Sequence, residues 1–151
     1  MKDQFTDDGI RLDNALAFWV HRVYQAQRNA MYRAFREHGV ELTPEQWAVL
    51  VRLWERDGQS QSELSESTFR DRPTMSRMVD AMETAGLVSR RTSEGDARTR
   101  LVLLTKRGRA LKPVLVPVVR RLVGRMVHGL DEADLVTTRT TLQRLFANLD
   151  D

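Results

Sequence analysis

Cysteine is absent from the 151 residues of this chain. That excludes disulfides, thiolate metal ligands, a catalytic thiol and a thiol redox switch. Lysine is scarce: Lys2, Lys106 and Lys112 stand against 21 arginines. Positive charge is therefore carried by the planar guanidinium, which forks onto phosphates and base edges as an ammonium does not. No window approaches about 18 uncharged apolar residues, so no membrane span is expected. The first eleven residues carry Asp3, Asp7 and Asp8 and no apolar run. No targeting segment is read there, and the cytoplasm is the expected compartment. His21, His38 and His128 are scattered, with no pair one helical turn apart, so no metal site is expected. Gly-x-Ser-x-Gly and Gly-rich phosphate loops are also missing, so no enzyme and no cofactor is read from the sequence.

What is present is helical periodicity. Leu12, Leu16, Trp19, Val20, Val23, Ala26, Ala30, Met31, Ala34 and Phe35 recur at helix spacing through to His38. Such a helix would be roughly 40 Å long. A compact chain of this size has a radius of gyration of only about 15 Å, so the helix is expected to protrude and meet a partner. Gly39 ends it. Thr43-Pro44-Glu45-Gln46 opens a second helix with a capping box, and Trp47, Leu50, Val51 and Trp54 form its stripe. After Asp57-Gly58, a second box, Ser60 to Glu63, starts a short helix reaching about Phe69. Asp71 can cap the next, with Pro73 in its first turn and Gly86 past its end. Met75, Met78, Val79 and Met82 lie on one face of that helix; Thr74, Ser76, Arg77 and Asp80 lie on the other.

The pattern then changes. Leu87 to Thr92 and Arg98 to Leu104 are β-prone runs around a turn sequence, which reads as a hairpin. Thr105 caps a long helix to about His128, with Pro113 and Pro117 expected to bend it. Asp131 to Asp134 starts a last helix with Leu135, Leu142, Leu145, Phe146 and Leu149 on one face. The fold class is mainly α with a small β-hairpin. Residues 41–105 read as a winged helix-turn-helix, and residues 1–40 and 106–151 as a helical dimerisation unit built from both chain ends.

Charge follows the same division. Nine basic and four acidic residues lie between Arg72 and Arg109, so this stretch carries +5 of a chain whose net charge is +3. A polar, basic helix followed by a basic hairpin is the footprint of a DNA-reading module. Thr74, Ser76 and Arg77 are short or forked donors suited to the major groove, and arginine is the commonest reader of guanine. The competing reading of such residues is a solvated helix face.

The motifs in order make the chain recognisable. Leu42-Thr43-Pro44-Glu45-Gln46-Trp47, Ser60-Gln61-Ser62-Glu63-Leu64, Asp71-Arg72-Pro73-Thr74-Met75-Ser76-Arg77-Met78-Val79, Met82 to Arg91, Asp96-Ala97-Arg98 and Leu104 to Gly108 together resemble the MarR family of bacterial transcription regulators. The resemblance runs from about residue 12 to 149. It implies a homodimeric repressor on a pseudo-palindromic operator, with half-sites about 10 bp apart. It implies DNA contacts from Ser62, Arg72, Pro73, Thr74, Ser76, Arg77, Arg91, Asp96, Arg98 and Arg100. Arg98 would enter the minor groove, oriented by Asp96. The family's usual wing reads Asp-Arg-Arg, and Ala97 replaces its first arginine; Arg100, two residues along the strand from Arg98, can compensate.

The resemblance also implies a small-molecule effector, often an aromatic acid, bound between the dimer helices and the winged unit. The candidate lining is Trp19, Arg22, Tyr24, Met31, His38 and Trp47. Trp19 and Trp47 also sit on apolar stripes, where tryptophan is more often core, and His38 near a helix C-terminus is more often a cap than a ligand contact. The alternatives to a ligand-released repressor are a ligand-blind architectural DNA-binding protein and a small helical enzyme.

Overall fold

The computed structural model describes residues 5–6, 9–92 and 99–149. Two short strands, β1 (Phe5–Thr6) and β2 (Gly9–Ile10), pair antiparallel ahead of a single 3-10 turn at Leu12–Asn14. Helix α1 (Leu16–Glu37) follows, then α2 (Pro44–Glu55), strand β3 (Gln59–Ser60), α3 (Gln61–Ser67) and α4 (Arg72–Thr84). Strands β4 (Val88–Thr92) and β5 (Arg100–Leu104) form the hairpin, and α5 (Lys106–Met126) and α6 (Glu132–Ala147) complete the chain. Among the described residues no helix is long and apolar enough to cross a membrane.

Each expected cap forms. Thr43 Oγ1 accepts from the Gln46 N–H while the Gln46 side chain accepts from the Thr43 N–H. Ser60 and Glu63 exchange the same pair of bonds at α3. Asp71 accepts the Thr74 N–H at 2.8 Å, and Thr105 accepts the Gly108 N–H at 3.0 Å. These side chains satisfy donors that a helix start leaves unpaired, so local sequence fixes where four helices begin. Pro113 and Pro117 both lie inside α5.

The Ser60 N–H and the Arg56 guanidinium hold the Glu63 carboxyl down to about 2, from an ordinary 4.5. A depressed carboxyl stabilises the fold above its unfolded value and loses that contribution as pH falls toward 2. Glu63→Gln keeps an acceptor for the cap but removes the charge. We expect it to flatten the acid limb of the stability curve between about pH 4.5 and 2 in urea titrations. An acid limb identical to the unaltered protein's would assign that limb to other carboxylates.

The hairpin gains a third strand that the sequence pattern does not indicate. The sheet order is β3-β5-β4, with Gln59 opposite Val102 and Arg90 also opposite Val102 on the other side. Gln59 is buried and its amide donates to the Arg52 and Arg56 carbonyls, closing the end of α2. Asp57 ties the sheet to α5: it accepts from the Leu104 N–H at 2.8 Å and pairs with Arg109 at 2.6 Å.

One core joins these parts. Phe35 of α1, Leu42, Val49, Leu50 and Leu53 of α2, Leu64 of α3, Met75, Val79 and Met82 of α4, Val88 and Val102 of the sheet and Leu115 of α5 are all buried. The rest of the helical frame is different. Only Met31, Ala34 and Phe35 of α1 are buried, and no residue of α6 is. Leu16, Trp19, Val20, Val23 and Tyr24 of α1, with Val136, Leu142 and Phe146 of α6, stay exposed. Helix α1 thus begins four residues later than the periodicity suggests, after the separate turn at Leu12–Asn14, and the apolar side of its first half is uncovered.

Candidate nucleic-acid interface

Helices α3 and α4 meet at a tight turn that includes Phe69, whose φ of +53° is rare for a bulky residue. The ring is exposed and lies edge-on to Phe146 of α6 at 4.9 Å. The turn aims the start of α4 outward. Met75, Val79 and Met82 hold its inner face in the core, while Arg72, Pro73 and Arg77 stand exposed and Thr74 and Ser76 are half-buried. The 3.6-residue repeat thus leaves arginines and small polar groups on the outer face.

Asp71, Thr74 and Arg77 form a chain there. The Thr74 hydroxyl donates to Asp71 Oδ2 at 2.8 Å and accepts from Arg77 Nη2 at 3.3 Å. Bonds from the Thr74 N–H and hydroxyl, with the charge of Arg77, keep the Asp71 carboxyl below its usual range. Thr74 is thus part of the cap, and Arg77 is steered by it. Ser62 lies in the first turn of α3, half-buried. Arg91 and Arg100 are exposed on the wing strands, but on opposite faces. Arg91 pairs with Leu101 and Arg100 with Thr92, and the side chains of successive residues alternate. Asp96 and Arg98, with Ala97, lie outside the described residues.

Arg90 behaves differently from its neighbour. Charge counting places it with the DNA-facing arginines, but its side chain is only 14% exposed. The guanidinium pairs with Asp80 at 2.6 Å and Glu83 at 2.8 Å, and donates to the Ser76 carbonyl at 3.2 Å and Gln61 Oε1 at 3.3 Å. The sequence held one hint of this: Asp80 and Glu83 sit one turn apart on α4, a pair of acids inside a basic segment.

These features carry a known signature. The sequence pattern of the MarR family matches residues 42–99, from two residues before α2 to the residue before β5. A probable transcriptional regulator from Pseudomonas aeruginosa, solved by crystallography, is 30% identical and superposes with a TM-score of 0.81 over 89% of this chain and 99% of that one. The chain belongs to the MarR family. This MarR-family protein is also 37% identical over 106 residues to the HTH-type transcriptional regulator TtmR of Methylorubrum extorquens (strain PA1). That match covers 70% of this chain and 53% of TtmR, so the chain spans about half of that relative's length. CouR from Rhodococcus jostii RHA1, solved bound to p-coumaroyl-CoA, is 26% identical with a TM-score of 0.76 over 89% of this chain and 94% of CouR. The matched span holds the winged helix-turn-helix of a MarR-type transcription regulator.

The expected effector residues separate into two groups. Tyr24, Met31 and Trp47 line one cleft of about 210 Å³ between α1 and the start of α2, with Gln27, Arg28 and Pro44. Trp47 packs between Phe35, tilted to it at 5.7 Å, and Trp54, edge-on to it at 5.3 Å. Trp19, Arg22 and His38 are not brought to it. Arg22 lies over the Phe18 and Trp19 rings, and the Trp19 N–H donates to the Asp13 carbonyl. The His38 ring bonds the Ala34 carbonyl at the end of α1, as a helix-terminal histidine does. Arg28 is the cation that sequence reasoning missed. Its Nε lies 3.3 Å from Glu45 Oε1, which also accepts from the Tyr24 hydroxyl at 3.1 Å. Burial pushes the Glu45 carboxyl up, but bonds from its own N–H, Thr43, Tyr24 and Arg28 outweigh this, leaving it below its ordinary value. The spacing Tyr24, Arg28, Met31 follows one helix face and would have pointed to Arg28.

Proposed function

We propose that this protein is a homodimeric repressor that reads a pseudo-palindromic operator and is released from it by a small aromatic acid. Residues 41–105 form the reading unit, and residues 1–40 with 106–151 form the dimerisation unit. The observation that carries the dimer is α6: sixteen residues, none buried, with Leu142 and Phe146 exposed beside the equally exposed start of α1. A lone helix of this length is marginal in water, so its apolar side calls for a second copy. Two copies related by a two-fold axis present two α4 helices to successive major grooves. The wing, with Arg91, Arg100 and the family's Asp96–Arg98 contact, then reaches the flanking minor groove and backbone.

In-vitro selection from a random 30-bp duplex pool tests this. We expect a consensus with two half-sites about 10 bp apart and affinity that falls steeply with salt. Enrichment of a single half-site, or of no sequence, would overturn the dimeric reading. On the selected duplex, Arg77→Ala should cost roughly 1–3 kcal/mol and relax base preference at one position per half-site. Equal loss on selected and random DNA would reduce Arg77 to a phosphate anchor.

For release, the cleft beside Arg28 suits one ring and a carboxylate; a ligand as large as a coenzyme A thioester exceeds it. An incoming carboxylate competes with Glu45 for Arg28 and Tyr24. Glu45 lies in the first turn of α2, so freeing it alters the footing of the helix that supports the reading unit. Aryl carboxylates screened by Trp47 quenching should weaken operator binding about 5- to 150-fold, the usual size of such coupling. Arg28→Met should abolish that response and, because it frees Glu45 without a ligand, should weaken ligand-free operator binding part of the way. Quenching without any change in operator affinity would favour the ligand-blind architectural reading.

A further inference from the structure

We infer that Arg90 is a positioning residue for DNA reading: it clamps the wing to the recognition helix and does not itself bind phosphate. This rests on the DNA-binding role of α4 and the wing. The side chain starts on β4, yet its guanidinium reaches three sites on α4 and one on α3. Asp80 Oδ1 at 2.6 Å and Glu83 Oε2 at 2.8 Å supply charge, and the Ser76 carbonyl and Gln61 Oε1 accept at 3.2 and 3.3 Å. The second Glu83 oxygen accepts the backbone N–H of Arg90 at 3.0 Å, so one carboxylate holds both the strand and its side chain. Val102, opposite Arg90 in the ladder, is buried beneath the sheet. The planar fork of arginine suits this arrangement of acceptors; lysine would bring a compact head to the same place.

The geometry explains why two acids lie on a helix that approaches a polyanion. By charge alone, Asp80 and Glu83 oppose DNA binding. Their removal should then tighten it. If they serve Arg90, their removal should weaken it, because the wing loses its fixed angle to α4 and its arginines no longer meet the groove in register with Arg77. The two readings differ in sign.

The test uses full-length protein and the duplex selected above, with a random duplex in parallel. Each variant's melting is first checked to lie above the assay temperature. Glu83→Gln leaves an amide oxygen for the Arg90 N–H but breaks the ion pair. We expect it to weaken binding to the selected duplex several-fold, despite deleting a negative charge. Arg90→Met should weaken it about ten-fold or more, the scale of lost hydrogen bonds to a charged group. On the random duplex, where no register with Arg77 is read, the slope of log affinity against log salt should not change, because Arg90 itself meets no phosphate. The double variant should bind no worse than Arg90→Met alone, as members of one network do. Tighter binding by Glu83→Gln, or a salt slope shallower by about one for Arg90→Met on the random duplex, would overturn the inference and make Arg90 a phosphate contact. If Arg90→Met does not fold, Glu83→Gln and Asp80→Asn still decide by sign. Failure of the unaltered protein to enrich any sequence would instead count against the operator reading.

Discussion

Gly108→Ala is expected to destabilise the fold by about 2–4 kcal/mol, from overpacking together with lost hydrogen bonds. A Cβ at this position would stand 2.1 Å from the Leu87 carbonyl oxygen and 3.2 Å from Leu104 Cδ2. The obstruction is backbone, so no rotamer change removes it. Nor can Leu87 retreat freely: its carbonyl accepts from the Thr105 N–H and the Thr105 hydroxyl, each at 3.1 Å. Moving the first turn of α5 instead would pull the Gly108 carbonyl from the Trp54 indole N–H, 3.1 Å away. Either movement breaks the junction where the wing enters the long helix. Urea unfolding measures the loss. A change below about 0.5 kcal/mol, the range of ordinary surface substitutions, would mean that the helix start slides without cost. Because the same junction sets the base of β5, the variant's surviving folded fraction should also bind DNA less tightly.

That junction marks the boundary of what the sequence makes legible. Thr43, Ser60, Asp71 and Thr105 each act on a donor three residues away, and a reader who knows capping chemistry finds all four helix starts. Gly108 is three residues past Thr105, but the reason it must be glycine lies at Leu87, which only the fold brings near. Strand β3 is two residues long and has no periodicity to detect; it exists because Gln59 and Ser60 find Val102 and Leu101. Arg90 and Arg91 are adjacent and chemically identical, yet the alternation of a strand sends one to Asp80 and Glu83 and leaves the other exposed. Net charge cannot distinguish them. In the cleft, Met31 and Trp47 lie on the apolar stripes, whereas Tyr24 is indicated only by the family resemblance. Arg28 needed the helix face to be followed residue by residue, and Trp19, Arg22 and His38 were grouped with them by chemistry rather than by angle. Local bonds are written in the sequence; contacts that close long loops are written only in the combination of elements.

The largest functional effect should come from a residue far from DNA. Leu142→Glu is expected to convert the proposed dimer to a monomer and to weaken binding to the selected duplex about 100- to 10,000-fold, the range lost when two linked sites become one. Leu142 lies on α6, 41% exposed, beside Leu16, Val20, Leu145 and Phe146 in a broad apolar groove between α1 and α6. A carboxylate there costs an isolated chain little, because water already reaches the site. In a dimer it would be buried without a partner, which is costly. The reading unit should survive, since its core from Phe35 to Leu115 lies within one chain. Far-UV circular dichroism and affinity for random DNA should therefore change far less than affinity for the selected duplex. Phe146 gives the interface a second consequence. Its ring meets Phe69 at the turn between α3 and α4, so α6 touches the reading head directly. A partner that fixes α6 thereby also fixes one side of that turn, and a monomer loses this support as well as the second half-site. Sedimentation velocity reports the first effect and the half-site affinity reports the second. A Leu142→Glu protein that sediments as a dimer and binds as before would move the interface away from this groove.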